Sequence, residues 1–393
     1  MNKRKIFNDP VYGFISFEYD ILYDLIEEPI FQRLRRIKQC GLSDYVYPGA
    51  LHTRFHHALG ATHLMQLAIQ VLRQKGVMIS HDEAEGACIA ILLHDSGHAP
   101  FSHALEQIFT SRNHESISLD IFHYLNKKYH GALDLAIRIF TDQYPNRFLH
   151  QLVSGQLDMD RMDYLNRDSY FTGVAEGIIG YDRIIKMLDV RDDKLVVEEK
   201  GIYSIEKFLI ARKIMYWQVY LHKTVIAAEQ MLRLFMTEAR QDPQLKELVQ
   251  GVNPLLFPGQ PDRDDFIPDF IAFDDYDIVG LLKRSLRLSA NPLLTFLSTS
   301  LLERNLFKVI TSFDPLNQDM LASLRERIVQ HFGDEAFSKL LIVGSETNTS
   351  YREGVEEIYI LKKTGEIEPF SRMAGFNHSQ QELTKYFVCH PRM

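Results

Sequence analysis

Ile89-Ala90-Ile91-Leu92-Leu93-His94-Asp95-Ser96-Gly97-His98-Ala99-Pro100-Phe101-Ser102-His103 is the stretch on which the fold turns. Upstream, Ser80 and Glu83 have the form of a capping box, and Ala84 to Leu93 is rich in Ala, Ile and Leu. A buried helix is therefore predicted to begin after Ser80. It should stop by Gly97 and Pro100, since Gly relaxes the turn and Pro lacks the N–H needed to continue. An imidazole and a carboxylate, His94 and Asp95, emerge from that apolar run, and burying them is costly unless a metal ion or a partner compensates. A hydrogen-bonded core pair is the plain alternative. The other His-Asp dipeptide, His81-Asp82, sits in a polar first turn favoured by the helix dipole and reads as a solvated helix start.

Working outward, His114-Glu115 lies downstream, and Arg54-Phe55-His56-His57 opens another helix upstream. Further on come Asp158-Met159-Asp160-Arg161-Met162-Asp163-Tyr164 and then Asp168. Twelve of the 16 histidines fall between His52 and His150. Such a mixed imidazole and carboxylate set suits Mn, Fe, Zn, Ni or Co, with Mg as the alternative. A divalent ion held this way lowers the pKa of bound water and offsets charge on a phosphoryl oxygen. His103 and Glu106 are three apart, so on a helix they share a face and can couple as an acid–base pair. His52, His56, His63, His123, His130 and His150 read as structural.

The rest of the chain frames this centre. Its 393 residues are 46% hydrophobic and 24% charged, ordinary globular usage. Lys+Arg 44 against Asp+Glu 52 gives net −8, which argues against broad nucleic-acid binding through charge. No apolar run is long enough to span a membrane. The basic start Met1 to Pro10 has no apolar stretch behind it, so no secretory signal is expected there. Three cysteines (Cys40, Cys88, Cys389) do not make a disulfide framework, so a reduced cytoplasmic setting is expected.

Helical spacing dominates from Asp20 to about Arg240. Ile30, Phe31, Leu34 and Ile37 mark one face, and Leu59, His63, Leu67, Ile69 and Leu72 another. Phe101–Phe109, His114–Lys127 and Leu133–Phe140 follow, and Ile205–Phe235 reads as one long helix. Pro243, Pro254, Pro258, Gly259, Pro261 and Pro268, with nearby aspartates, then suggest a linker or loop. Beyond it, Ile278–Leu288 and Leu321–Phe332 are predicted helical. Glu357–Leu361 and Glu366–Phe370, around Lys363-Thr364-Gly365, are predicted to form a β-hairpin. The expected fold is mainly α: a helical core over residues 1–240, a linker over 241–268, and a smaller C-terminal α+β region over 269–393.

His57…His94-Asp95…Asp160 resembles the H…HD…D signature of the HD phosphohydrolase superfamily. Longer runs sharpen the resemblance: Asp9-Pro10-Val11-Tyr12-Gly13, Phe31-Gln32-Arg33-Leu34-Arg35-Arg36-Ile37-Lys38-Gln39, Tyr47-Pro48-Gly49-Ala50, Arg54 to Gly60 and His94 to His103. They are similar to the deoxynucleoside triphosphate (dNTP) triphosphohydrolase branch, which includes the animal SAM-and-HD-domain enzymes and bacterial relatives. The resemblance covers roughly residues 5–235 and implies an HD-domain helical core.

The resemblance implies that His57, His94, Asp95 and Asp160 bind the metal. It implies that Arg54 contacts a substrate phosphate, and that His98, His103 and His114 line the triphosphate and the reacting phosphorus, with Glu106 where some relatives have Asp. Arg161 stands where relatives place a phosphate-binding lysine, which exchanges a point charge for a planar fork. Tyr164, Asp168 and Tyr220 fall beside the sugar, Arg212 at a γ-phosphate arginine, and Gln39 where a glutamine reads the sugar hydroxyl. Cys40 occupies a position often held by leucine. Lys5, Asn8, Arg33 and Arg35 fit a family site for an activating guanine nucleotide (GTP or dGTP) between subunits. Glu27 there replaces an aspartate that reads guanine, and a solvated helix face balanced by Glu27 and Glu28 is the alternative for that basic run. The implied activity is hydrolysis of dNTPs to deoxynucleoside and inorganic triphosphate by a homo-oligomer, dimer or tetramer. Two other readings stand beside it: an HD phosphatase or phosphodiesterase acting on another nucleotide, and a nucleotide-sensing binding protein with a vestigial site.

Overall fold

The computed structural model describes residues 5–109, 111–249, Leu255, 266–348, 357–373 and 383–393. The chain opens with an antiparallel ribbon of β1 (Phe7–Asp9) and β2 (Gly13–Ile15). Its turn is fixed by Asp9, whose Oδ1 accepts from the backbone N–H groups of Val11 and Tyr12 at 2.9 Å each. Ile30, Phe31, Leu34 and Ile37 are all buried, as their spacing predicts. They lie on a short helix, Pro29–Gln32, a 3-10 turn, Arg33–Arg36, and an extended Ile37, not on one continuous helix.

The core is a helical stack. Helix α1 (Arg54–Gln74) starts at a capping box of Thr53 and His56. Helix α2 (His81–Leu93) starts at the predicted Ser80–Glu83 box, where Glu83 N donates to Ser80 Oγ at 3.1 Å and Ser80 N to Glu83 Oε2 at 2.7 Å. Beyond its first turn α2 is buried nearly all round, which marks a central helix, and it lies between α1 and the helix Asp134–Phe140. Helix α3 (His114–Lys128) follows the HD loop. Helix α4 (Met159–Thr172) packs on α1, is capped by Asp158, and ends where Gly173 takes φ 75°. The hairpin β3 (Leu188–Arg191) and β4 (Lys194–Glu198) comes next.

The expected single helix over Ile205–Phe235 is corrected by the structure. Helix α5 (Ile202–Met215) widens into a π-turn, Tyr216–Tyr220, and breaks; α6 (Lys223–Ala239) then restarts under an extended His222 whose side chain caps it. No Gly or Pro announces the break. The backbone instead closes an i→i+5 bond, Leu221 N to Tyr216 O at 2.9 Å, and the widened turn carries Tyr216, Trp217 and Tyr220. Such π-turns are common at functional sites.

In the C-terminal region, α7 (Asp275–Leu288), α8 (Pro292–Leu302), β5 (Lys308–Ser312), α9 (Gln318–Phe332), β6 (Ile342–Asn348), β7 (Tyr359–Leu361), β8 (Ile367–Pro369) and β9 (Leu383–His390) follow. The predicted helices lie within α7 and α9. The predicted hairpin is β7–β8, with Tyr359 opposite Pro369 and Gly365 at φ +89° in its turn, but Phe370 starts a short helix. Strand β7 also pairs in parallel with β4, giving the sheet order β3-β4-β7-β8, and β5-β9-β6 form a second sheet. Of the stretch expected as a linker, Pro243–Val249 and Phe266–Ile271 are helical, while 250–265 other than Leu255 lie outside the described residues. The fold is thus a mainly α HD-type core with a smaller α+β region.

The start of α7 is tied to the core. Asp275 Oδ1 accepts from Phe101 N at 2.6 Å and Oδ2 from Lys38 N at 2.9 Å, and Arg36 pairs with Asp274. These bonds hold the loop after the HD pair, where Phe101 and Ser102 both take φ 56°. No helix among the described residues is long and apolar enough to cross a membrane. The three cysteines are free and buried.

Candidate metal centre and substrate cavity

His57 comes from the first turn of α1, His94 caps the end of α2, Asp95 follows it, and Asp160 sits in the first turn of α4. Each offers one ligand atom, and the four atoms lie within 4.8 Å of one another. His57 Nε2 is 3.0 Å from Asp160 Oδ1 and 3.6 Å from Asp95 Oδ2; His94 Nε2 is 3.4 Å from Asp95 Oδ1 and 3.5 Å from Asp160 Oδ1. Both Nε2 atoms are buried and neither has a hydrogen-bond partner of good geometry. A buried nitrogen is rarely left so, and a divalent cation among these four ligands satisfies both. Electrostatics agree. Burial by itself disfavours a cationic ring, yet Asp160 and Asp163 reverse this and raise His57 to about 10. The pocket favours positive charge.

The ligand His57 is aimed by a buried relay. Its Nδ1 lies 2.7 Å from Asp163 Oδ2, which fixes the Nδ1–H tautomer and turns the Nε2 lone pair to the cluster. Arg167 donates to Asp163 twice, from Nε at 2.9 Å and NH2 at 3.0 Å, and its NH1 donates to Asp9 Oδ2 at 2.7 Å. Asp163 and Arg167 are fully buried. Gly60 is needed beside them, because a Cβ there would stand 2.0 Å from Asp163 Oδ1. On the other side, Nδ1 of His94 is 2.6 Å from Ile91 O. Asp95 pairs with Arg54, whose Nε donates to Ser102 Oγ at 2.8 Å. Burial opposes its ionisation, but Arg54 and His94 bring Asp95 down to about 2.

A second cluster adjoins the first. The rings of His98 and His114 stack at 3.9 Å between centroids, and His103 meets His98 edge-on at 4.9 Å. Glu106 orients two of them: Oε2 is 2.9 Å from His103 Nδ1, and Oε1 is 2.6 Å from His114 Nδ1. Burial would raise the carboxyl, yet these bonds hold it well below the usual carboxylate range. Burial, reinforced by Arg54, pushes His98 well below its ordinary value, so that ring is neutral. The structure therefore couples His103 to Glu106 as their spacing suggests, and adds His114 to the same carboxylate.

Arg54, Ser102 and His103 also line a cavity of about 520 Å³, whose walls include Gln39, Cys40, Tyr164, Asp168 and Tyr220. Tyr220 OH donates to Asp168 Oδ2 at 2.5 Å, while His52 Nε2 lies 2.7 Å from Asp168 Oδ1 and 3.7 Å from Cys40 Sγ. Both carboxylate oxygens are thereby engaged. His52, read from sequence as structural, stacks on Phe171 at 4.5 Å and positions Asp168. Gln39 Oε1 is buried without a partner. Glu229 and Glu346 complete another wall, and nothing in their local sequence marks them.

Other expected residues lie apart. Arg161 turns back to Asp158 and Gly155 O, and Arg212 NH1 donates to Gln156 Oε1 at 2.8 Å, so neither lines this cavity. Lys5 pairs with Glu27 at 2.5 Å, Asn8 faces Phe14 in the ribbon, and Arg35 lies over the Phe55 ring at 3.5 Å. Arg33 is not on a solvated face. It is fully buried, donating to Phe273 O at 2.6 Å and His98 O at 2.9 Å. Glu28 meets Lys128 and Tyr129 instead.

Comparison with known proteins agrees with this architecture. Residues 179–249 match the HD associated region family. A phosphohydrolase from Bacteroides thetaiotaomicron has a similar structure, with TM-score 0.92 and 45% identity over 99% of this chain and 100% of that one. The uncharacterised protein YwfO of Bacillus subtilis is 30% identical over 96% of this chain and 90% of its own. A deoxynucleoside triphosphate triphosphohydrolase SAMHD1 homologue of Dictyostelium discoideum is 32% identical over 60% of this chain and 50% of that protein. The chain belongs to the HD-domain, dNTPase-like phosphohydrolase family.

Proposed function

We propose that the chain hydrolyses dNTPs to deoxynucleoside and inorganic triphosphate. One observation carries the reading: Arg54 holds Asp95 of the ligand cluster and also lines the cavity walled by Tyr164, Asp168 and Tyr220. A phosphate gripped by Arg54 thus has the ligand cluster on one side and a polar, aromatic wall on the other. That wall suits a sugar. Asp168 is fixed by two neighbours, and the unpartnered Gln39 Oε1 can accept from a sugar hydroxyl.

His57, His94, Asp95 and Asp160 hold the divalent ion, which when bound lowers the pKa of water and offsets phosphoryl charge. The chain's own groups supply the rest. Glu106 accepts from Nδ1 of His103, leaving Nε2 free to align a water and take its proton. Neutral His98 packs against the rings of His103 and His114. Water oxygen joins the α-phosphorus, the bond to the 5′-oxygen breaks, and that oxygen leaves with the proton that His103 took up. Most of the rate enhancement comes from positioning and charge stabilisation.

The test is to incubate metal-loaded protein with each dNTP and rNTP and identify products chromatographically. Triphosphate and deoxynucleoside should appear, and His94→Ala and Asp95→Ala should abolish both. Release of single phosphate or nucleoside monophosphate, without triphosphate, would sink the reading.

A further inference from the structure

The loop after the HD pair is held from outside the HD core. Phe101 and Ser102 both take φ 56°, a left-handed conformation that residues other than glycine keep only where their surroundings enforce it. The start of α7 does so. Asp275, buried on its first turn, accepts from Phe101 N on Oδ1 at 2.6 Å and from Lys38 N on Oδ2 at 2.9 Å. Two residues earlier, Phe273 O accepts from Arg33 Nε at 2.6 Å, and NH2 of the same guanidinium donates to His98 O at 2.9 Å. The loop is thus gripped at His98 and again at Phe101.

The residues that follow each gripped amide line the cavity. Gln39 and Cys40 follow Lys38, and Ser102 and His103 follow Phe101, whereas Asp275 itself lies outside the lining. Ser102 Oγ donates to Lys38 O at 2.7 Å and accepts from Arg54 Nε at 2.8 Å, so the two segments and the phosphate-side arginine form one unit. We infer that Asp275 is a positioning residue for the reaction, setting through Phe101 and Lys38 where His103 and Arg54 stand beside a bound phosphate. The inference rests on the hydrolytic reading above and deepens it, since it gives the C-terminal region a part in the chemistry.

Both Asp275 oxygens are acceptors only while the carboxyl is ionised; protonation turns one into a donor. Burial lifts this group to about 6, against the bonds from Lys38 N and Phe101 N and the charges of Lys38 and Arg33. On its own turn, Asp274 pairs with Arg36, and Asp277 Oδ2 accepts from Asp274 N at 2.9 Å. Below about pH 6 one of the two segments therefore loses its hold.

The experiment compares full-length wild type, Asp275→Asn and Arg36→Ala, each loaded with Mn²⁺. It measures kcat and KM on dNTPs above and below pH 6, metal content, urea stability, and backbone hydrogen exchange by mass spectrometry. Asp275→Asn keeps one acceptor for two N–H groups. At pH 8 its kcat should fall about tenfold or more, with KM within threefold, metal retained, and faster exchange over 36–40 and 99–105. The ratio of wild-type to variant kcat should shrink as pH falls through about 6, because protonated Asp275 resembles the amide while His103 titrates in both proteins. Arg36→Ala loosens the same helix through Asp274 but spares both Asp275 bonds, so its kcat should stay within threefold whatever stability it loses. An Asp275→Asn kcat within threefold of wild type, a ratio independent of pH, or equal losses of kcat in the two variants would overturn the inference. Should Asp275→Asn not fold, Asp275→Glu displaces the carboxylate by one methylene, and an unchanged kcat there overturns it equally. If wild type turns over no dNTP while exchange in both segments still depends on Asp275, the hydrolytic reading fails and the hold on the loop stands.

Discussion

Asp163→Asn removes one charge and adds one donor at the midpoint of the relay behind His57. In the wild type three N–H groups converge on that carboxylate: His57 Nδ1 and Arg167 Nε on Oδ2, and Arg167 NH2 on Oδ1. An asparagine offers one oxygen, so at least one N–H must face its amide nitrogen. If the oxygen stays with His57, Arg167 loses a bond and keeps only Asp9 as a charged partner. If it turns to Arg167 NH2, His57 loses its orientation. Partners of metal ligands set roughly 10- to 100-fold in affinity, which corresponds to about 1.4–2.7 kcal/mol. Breaking a buried pair by removing one partner costs about 3–5 kcal/mol, and both residues are fully buried, so solvent screening gives no relief. The assay is chelator competition for Mn²⁺ read by elemental analysis, with urea unfolding of the metal-free protein. A folded Asp163→Asn variant with Mn²⁺ affinity within twofold of wild type would refute the relay.

Three further outcomes are expected. Gly60→Ala should destabilise by about 1–3 kcal/mol through overpacking and lower the bound metal, since its Cβ meets Asp163 Oδ1 at 2.0 Å; unchanged melting and metal content would contradict this. Glu106→Gln keeps one acceptor for two histidines, so kcat should fall about 100-fold or more with metal content retained; a loss below threefold would remove His103 from the proton path. Burial and the neighbouring Glu346 push Glu229 up to about 8, against an ordinary value of about 4.3. The folded protein keeps a proton that the unfolded chain has released, so the destabilising effect grows from about pH 4.3 to 8 and then levels off. Glu229→Gln should therefore raise Tm increasingly across that window, and a pH-independent difference would show the carboxyl to be unperturbed.

The sequence announces elements whose causes are local. Ser80 and Glu83 fix the start of α2 through bonds three residues apart, and the apolar run to Leu93 requires a central helix. His103 and Glu106 meet because one helical turn separates them, and the β7–β8 hairpin follows from alternation around Gly365. Long-range contacts are less legible. Asp9, Asp163 and Arg167 form one relay, of which only the four-residue step from Asp163 to Arg167 leaves a periodic trace. The break after Tyr220 has no Gly or Pro because tertiary bonds, Tyr220 to Asp168 among them, stabilise the widened turn. Arg33 looked like a surface cation because its partners are carbonyls of His98 and Phe273, and carbonyls carry no side-chain signature. Likewise Glu229 and Glu346 face one cavity only once the β5-β9-β6 sheet packs on α6 through β5.

Attack on the α-phosphorus is tested most directly by turnover of a dNTP in ¹⁸O-labelled water with metal-loaded protein, followed by mass spectrometry of both products. One ¹⁸O in the inorganic triphosphate and none in the deoxynucleoside is the predicted result. Label in the deoxynucleoside, or in single phosphate released from the γ end, would contradict it.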